Sequence, residues 1–102
     1  MTRYVIMQAD FDAAGELQRG AVDQIVGGNH SAPQFAGKPQ VLDRLAIFDL
    51  VGCGDKVYTY RGGLPLDEVR VREGAHGVEY LDSVRDGELS DALRELPRLP
   101  RE

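Results

Sequence analysis

The residues of this chain that can carry out chemistry are few and far apart in the sequence. A single cysteine, Cys53, and two histidines, His30 and His76, occur among 102 residues. A nucleophilic cysteine needs a helix N-terminus or a nearby cation to stabilise its thiolate. The glycines on either side of Cys53 instead predict a helix C-terminus, where the helix dipole opposes a negative charge. We therefore expect Cys53 to be a small, partly buried residue without a catalytic role.

Metal and phosphate sites are not predicted by the spacing of the remaining polar residues. A zinc site normally takes three or four ligands from histidine, cysteine and carboxylate side chains, and both histidines lie in predicted loops. The segments Gly27 to His30 and Gly52 to Lys56 superficially resemble phosphate loops. A true P-loop has four residues between its glycines, followed by Gly-Lys-Ser/Thr at the start of a helix. Neither segment has this pattern, so we predict no catalytic residue, metal or cofactor.

Four residues remain as a speculative surface for a ligand or a partner: Asn29, His30, Phe35 and Arg61. The first three lie in the irregular stretch from Gly27 to Lys38, and loops of this length are often functional. A phenylalanine in such a loop is either tucked into a satellite core or offered to a partner. The arginine follows two tyrosines, and both residue types are enriched at protein interfaces.

The elements that must position these residues are organised around one predicted helix, from Pro39 to Gly54. Pro39 suits the first helical position, and Gly52 and Gly54 supply the left-handed conformation that ends a helix. Apolar residues form a wide stripe at helical spacing: Val41, Leu42, Leu45, Ala46, Phe48 and Leu50. A stripe this wide predicts a helix buried against a sheet.

Alternating and apolar runs predict strands on both sides of this helix. Tyr4 to Met7 indicates a central strand. Residues 16–26 have apolar side chains at helical spacing, but Gly15 and Gly20 disfavour a helix, so we expect a hairpin partner for the first strand. Residues 56–60, 68–73 and 78–81 alternate or are apolar in the manner of strands. A second short helix is expected after Ser90, a favourable N-cap residue. The predicted fold is α+β (ββ-loop-α-βββ-α), a mainly antiparallel sheet of about five strands with one buried helix packed on a face.

Composition restricts the classes of protein to which the chain can belong. The length predicts one domain over residues 1–99 and a frayed tail at 100–102. A net charge of −5 disfavours nucleic-acid binding, which depends on neutralising phosphates. No apolar run approaches the ~20 residues of a membrane-spanning helix, and neither a signal peptide nor a disulfide pair is found. We expect a cytoplasmic protein with no nucleic-acid or membrane partner.

Several short motifs in the second half match one known pattern: Gly52 to Gly54, Tyr58-Thr59-Tyr60, Tyr80 to Ser83, Ser90 to Leu93 and Leu96-Pro97. They resemble the uncharacterised bacterial family called domain of unknown function 3892, and the resemblance covers residues 39–99. Asp82-Ser83 stands where that family tends to have Arg-Thr, and Ala92 where it tends to have Asn. The resemblance implies a fold of this kind and no transferable activity.

The sequence leaves three functions open. The first is a noncatalytic protein-interaction or structural module, which binds an unknown protein or forms a homodimer through sheet edges or loop aromatics. The alternative is a small-ligand-binding protein or enzyme with a pocket under the 27–38 loop. A weaker alternative is an acidic inhibitor or immunity-type protein that binds a basic partner.

Overall fold

The structure, a computed structural model, describes residues 2–28, 32–61 and 67–99. Within these ranges the chain forms eight strands and one α-helix: β1 Arg3–Phe11, β2 Leu17–Gly28, β3 Pro33–Phe35, β4 Gln40–Asp43, α1 Arg44–Gly52, β5 Lys56–Thr59, β6 Asp67–Glu73, β7 Glu79–Arg85 and β8 Glu88–Ser90. A single 3₁₀ turn, Ala75–Gly77, joins β6 to β7. The tail predicted at 100–102 lies outside the described residues.

All eight strands belong to one sheet, in the order β3-β2-β1-β5-β6-β7-β8, with β4 also paired to β2. Every pairing is antiparallel except that of β1 with β5, where Arg3 lies opposite Lys56 and Ile6 opposite Thr59. A parallel pair cannot be joined by a tight turn and needs a crossover, and α1 lies in that crossover. The predicted α+β class with one helix and a mostly antiparallel sheet is confirmed. The predicted number of about five strands is wrong, because β3, β4 and β8 are short strands that local patterns did not reveal.

The preference for a strand over residues 16–26 is confirmed, since β2 covers most of this segment. Gly20, which disfavoured a helix, has a packing role in the strand. It is buried, and a Cβ atom there would lie 3.1 Å from Ile6 Cγ2 and 3.3 Å from Ile47 Cδ1. The absence of a side chain at Gly20 therefore lets α1 approach the sheet.

Helix α1 starts later than the sequence predicted. Pro39 precedes β4, which pairs with β2 along residues 19–22, so the segment that was expected to be the first helical turn is extended. Asp43 is the N-cap, and its carboxylate accepts a hydrogen bond of 2.9 Å from the Ala46 N–H. Sheet pairing of the segment before Asp43 outweighed the helical spacing of its apolar residues.

The helix is also less buried than predicted, although it does pack on a face of the sheet. Ile47 is its only fully buried residue, whereas Leu45 is 71% exposed, and Val41 in β4 is 58% exposed. The remaining contacts with the core come from partly buried residues: Phe48, Leu50 and Val51. With nine residues, α1 is too short to cross a membrane, and the described ranges contain no other α-helix.

The predicted second helix is wrong. Ser90 ends β8, and residues 91–96 form bends and turns. Only two backbone hydrogen bonds within these residues have helical spacing, from the Glu95 N–H to the Asp91 carbonyl at 3.0 Å and from the Leu96 N–H to the Leu93 carbonyl at 3.4 Å. An isolated helical turn this short gains too few hydrogen bonds to propagate. The segment is instead fixed by tertiary contacts, since the Ala9 N–H donates to the Pro97 carbonyl at 2.9 Å. We refer to residues 91–99 as the C-terminal segment.

Two hydrophobic clusters lie on opposite faces of the sheet. The main core joins one face to α1 and to the C-terminal segment, whose leucines are nearly inaccessible to solvent: Leu93, Leu96 and Leu99. Successive strand residues point to opposite faces, so Val5 points away from the side chain of Ile6 and from the main core. It forms a smaller cluster with Ile25 and with partly buried neighbours: Met7, Phe35, Tyr58 and Tyr60.

Leu93→Ala is expected to lower the free energy of unfolding by about 2–5 kcal/mol, because it leaves a cavity in the main core. Leu45→Ala is the matched control, and its effect should stay within about 0.5 kcal/mol because that side chain is largely in solvent. Urea unfolding followed by circular dichroism measures both. Equal losses for the two variants would contradict the placement of the C-terminal segment in the core.

Candidate functional site

Of the four residues singled out from the sequence, the structure describes Phe35 and Arg61. Asn29 and His30 lie outside the described residues. Phe35 is half-buried in β3 and makes an edge-to-face contact with Tyr60, with the ring centroids 5.1 Å apart. Arg61 is exposed and its Nη1 lies 3.2 Å from Glu95 Oε2. The phenylalanine therefore belongs to the smaller cluster, while the arginine borders a separate cavity.

Cys53 differs from its predicted environment, since it is exposed at the C-cap of α1. It was expected to be partly buried, but the end of the helix lies at the surface. Over residues 2–28, 32–61 and 67–99, no group of three or more histidine, cysteine or acidic residues is arranged to hold a metal ion.

The cavity beside Arg61 has a volume of about 140 Å³ and lies between the end of β5, the hairpin of β7 and β8, and the C-terminal segment. Its lining combines polar and apolar surface: Thr59, Arg61, Arg85, Ser90, Asp91, Ala92 and Glu95. Two guanidinium groups and two carboxylates line the same space, so the formal charges of these side chains cancel. The lining does not select for an anion or a cation.

A buried carboxylate lies next to this cavity. Asp67, whose side chain is 1% exposed, accepts hydrogen bonds from Arg85 Nε at 2.8 Å and from Ser90 Oγ at 2.7 Å. The hydrogen bond to Asp67 raises the pKa of the Arg85 guanidinium. The Ser83 hydroxyl donates to the Ser90 carbonyl at 2.9 Å and accepts from the Leu93 N–H at 3.0 Å. This chain of bonds joins β6, β7 and β8 to the C-terminal segment.

The hydrogen bonds of this network connect strands to one another and to the C-terminal segment. No buried side-chain nitrogen or oxygen atom among the described residues lacks a hydrogen-bond partner. The Ser90 proton is directed at Asp67, and neither histidine nor cysteine is among the lining residues identified for the cavity. A buried carboxylate is costly unless it is paired and hydrogen-bonded, and these contacts satisfy that requirement.

A second hollow, of about 380 Å³, borders the later part of the predicted 27–38 loop. It is lined by residues of β1, β2, α1 and the 36–42 segment: Tyr4, Val22, Asp23, Gln24, Ala36, Lys38, Gln40, Leu42 and Leu50. The buried carboxylate of Asp23 accepts the Gly37 N–H at 3.1 Å and the Gln24 N–H at 2.8 Å, which fixes the edge of the hollow. Because Asn29 and His30 lie outside the described residues, the ligand pocket under this loop stays a prediction.

The third feature is a hairpin that extends beyond its neighbouring strands. β6 pairs with β5 only at Asp67 and Glu68, and β7 pairs with β8 only from Ser83 to Arg85. The intervening parts of β6 and β7 pair with each other and with no other described strand. We call residues 70–80 the β6–β7 arm.

The backbone register shows which N–H and C=O groups of β7 point away from β6. The Gly74 N–H donates to the Val78 carbonyl at 2.7 Å, so this pair is a hydrogen-bonded one. Hydrogen-bonded and non-hydrogen-bonded pairs alternate along an antiparallel ladder. Glu79 and Leu81 in β7 therefore direct their N–H and C=O groups away from β6.

The tight turn at the other end of β7 gives the same result. Asp86 and Gly87 have φ of 53° and 83°, as in a two-residue type I′ hairpin turn, whose flanking residues Arg85 and Glu88 are hydrogen-bonded. Counting back by twos from Arg85, along the outer edge of β7, again reaches Leu81 and then Glu79.

No described strand other than β6 pairs with β7 over Glu79 to Asp82. At the inner end of this stretch Leu81 and Asp82 are buried, and the Arg94 Nη2 atom lies 3.6 Å from Asp82 Oδ2. Natural sheets blunt exposed edges with proline, lysine, bulges or a covering segment. This stretch contains no proline or lysine, and its pairing with β6 has no bulge. The adjoining Val78 is 57% exposed. β8 occupies the remaining part of the same edge, so the position next to β7 is only partly filled.

Ion pairs hold the base of the arm. Glu68 accepts a hydrogen bond from Arg70 in the arm, and its Oε2 lies 3.2 Å from Lys56 Nζ in β5. Burial by itself raises the pKa of Glu68, but the hydrogen bonds and positive charges of Arg70 and Lys56 outweigh burial and hold that pKa below its ordinary value.

Comparison of the chain with models of known protein families, with curated proteins and with solved structures found no match. The β6–β7 arm was missed by sequence reasoning, although both of its strands were predicted. The available signal was a small difference in length, because the alternating run 68–73 is one residue longer than the preceding run 56–60.

Ser90→Ala is expected to lower the free energy of unfolding by about 1–3 kcal/mol, because it leaves one oxygen of the buried Asp67 carboxylate without its donor. In an Asp67→Asn background the same replacement should cost less, since no buried charge remains to be compensated. A double-mutant cycle measured by urea unfolding gives the coupling energy. Equal costs in the two backgrounds would contradict the proposed pairing.

Glu68→Gln is expected to lower the free energy of unfolding at pH 7 by about 1 kcal/mol. The folded-state pKa of Glu68 is depressed, so its stabilisation is fully present above the ordinary glutamate pKa of about 4.3 and is lost as the pH falls through the folded value. The difference between variant and wild type should therefore shrink below that pH. Glu95→Gln, in the exposed pair with Arg61, is the control and should cost less. A difference that does not change between pH 7 and pH 3 would contradict this assignment.

Proposed function

We propose that this protein is a noncatalytic protein-interaction module that binds an extended strand of its partner along the free edge of β7. The observation that carries the proposal is the outward direction of the N–H and C=O groups of Glu79 and Leu81. In strand addition, main-chain hydrogen bonds supply affinity and the alternating side chains supply specificity. The exposed Val78 and the half-buried Tyr80 lie beside this edge and provide such side-chain contacts.

Each hydrogen bond formed in strand addition contributes a modest binding free energy, but the backbone groups of β7 that form these bonds are already ordered. Exchange of a water hydrogen bond for a protein one contributes about 0.5–1.5 kcal/mol. The backbone of β7 is fixed by its pairing with β6 and, beyond the arm, with β8. Binding therefore costs little ordering of this chain, and an extended partner segment bears most of the entropic cost.

The noncatalytic part of the proposal is supported by the saturation of the polar groups around Asp67. Its carboxylate, the Arg85 guanidinium and the Ser90 hydroxyl are bonded to one another, which leaves them as a structural clamp. The small-ligand alternative, the acidic inhibitor alternative and membership of the family called domain of unknown function 3892 stay predictions.

Proline at the outward-facing position of the edge tests this function. Glu79→Pro removes an N–H that points away from β6, and proline is tolerated at such edge positions, so the fold should survive. The variant and the wild type are immobilised and exposed to lysate of the source cells, and the captured proteins are quantified by mass spectrometry. We expect a partner that the wild type retains and Glu79→Pro loses by at least about tenfold, equivalent to about 1.4 kcal/mol.

Glu73→Pro is the matched control, because Glu73 lies directly opposite Glu79 and directs its N–H toward the other edge of the arm. It should retain the same partner as the wild type. Circular dichroism melts of both proline variants establish that the fold is kept. Equal capture by wild type and Glu79→Pro would overturn strand addition at β7.

A further inference from the structure

We infer that the strand received by this edge is β7 of a second copy of the chain, in a two-fold dimer centred on Tyr80. The inference rests on the proposed function and names its partner. Tyr80 lies between the two residues whose backbone groups face outward, Glu79 and Leu81. When two copies are placed antiparallel about Tyr80, Glu79 of each copy lies opposite Leu81 of the other. All outward N–H and C=O groups of these residues then find a hydrogen-bond partner.

Only one antiparallel register is compatible with the described residues. Outward-facing residues must pair with outward-facing residues, so the two-fold axis passes through residue 79, 80 or 81. An axis at Glu79 places its carboxylate directly opposite the same carboxylate, and like charges directly opposite are destabilising. An axis at Leu81 places Glu79 opposite Ser83, where Ser90 of β8 already lies. The register centred on Tyr80 opposes no like charges, and the residue that falls opposite Ser83 is Gly77, which belongs to the 3₁₀ turn and not to a strand.

Side chains are compatible in the remaining register. Tyr80 faces Tyr80 of the second copy in a non-hydrogen-bonded pair, where side chains approach most closely and aromatic pairs are favourable. The exposed Val78 lies opposite Asp82, and Glu79 lies opposite Leu81. No charge in the stretch from Val78 to Asp82 meets a charge of the same sign.

The space beside β7 also has the right length for this strand. Ser90, opposite Ser83, closes one end of the open edge, so an added strand has room only alongside Val78 to Asp82. A strand that continued straight would collide with β8. β7 of a second copy avoids this collision, because its preceding turn at residues 74–78 bends back toward its own β6.

Cysteine cross-linking tests both the partner and the register. In a Cys53→Ser background, Tyr80→Cys places two thiols in a non-hydrogen-bonded pair with Cβ atoms about 4.5–5.5 Å apart, close to the separation of about 3.5–4.5 Å in a disulfide. We expect mild oxidation to convert most of this variant to a covalent dimer on a non-reducing gel. Glu79→Cys in the same background is the control and should cross-link at least about tenfold more slowly, because its opposite residue is Leu81.

Light scattering on a sizing column gives a second readout that does not depend on replacing Tyr80. The wild type and Glu73→Pro should form dimers as concentration rises, whereas Glu79→Pro should stay monomeric. A wild type that is monomeric at every concentration, or a Glu79→Cys variant that cross-links faster than Tyr80→Cys, would overturn the inference. Capture from lysate that still distinguishes Glu79→Pro from Glu73→Pro would then leave the proposed function standing with a different partner strand.

Discussion

The parallel pairing of β1 with β5 is the constraint on which the rest of the fold depends. It places Ile6 and Val57 at the centre of the sheet and forces the chain between them to cross over one face. Helix α1 lies in this crossover. Because Gly20 has no side chain, Ile47 of the helix can pack against the strands. The two halves of the sheet then grow outward from this pair, with β2, β3 and β4 on one side and β6, β7 and β8 on the other.

Differences in strand length produce the β6–β7 arm, on which the proposed function rests. β5 has four residues and β8 has three, whereas β6 and β7 have seven each. The longer strands therefore extend past both neighbours as the β6–β7 arm. Ion pairs at Glu68 fix its base on one face, and the buried Asp67 fixes the adjoining strand ends through Arg85 and Ser90. A rigid base with a free edge suits strand addition, because the edge needs no rearrangement before binding.

Several buried or partly buried polar side chains of this protein form hydrogen bonds with one another and with the backbone that hold the fold together. One continuous hydrogen-bond network joins Asp67, Ser83, Arg85 and Ser90. The free-energy cost of burying such polar groups is offset only when every one of them is hydrogen-bonded. This network contacts the C-terminal segment, which has no regular structure of its own, through the Leu93 N–H, and that segment supplies Leu93 and Leu96 to the main core. The absence of a helix there is explained by the same contacts, since they hold the backbone in turns.

Local patterns in the sequence determined the positions of the longer strands, β1, β2, β6 and β7, and of β5. The alternation at 68–73, the apolar run from Tyr4 and the glycine within 16–26 each indicated a strand that the structure contains. Tertiary structure alone decided that the segment before Asp43 pairs with β2, that Leu45 faces solvent, and that β7 extends beyond β8 with only β6 beside it among the described strands. Period and propensity describe one segment at a time, whereas pairing and burial depend on residues far apart in the chain, whose combined free energy outweighs local preference.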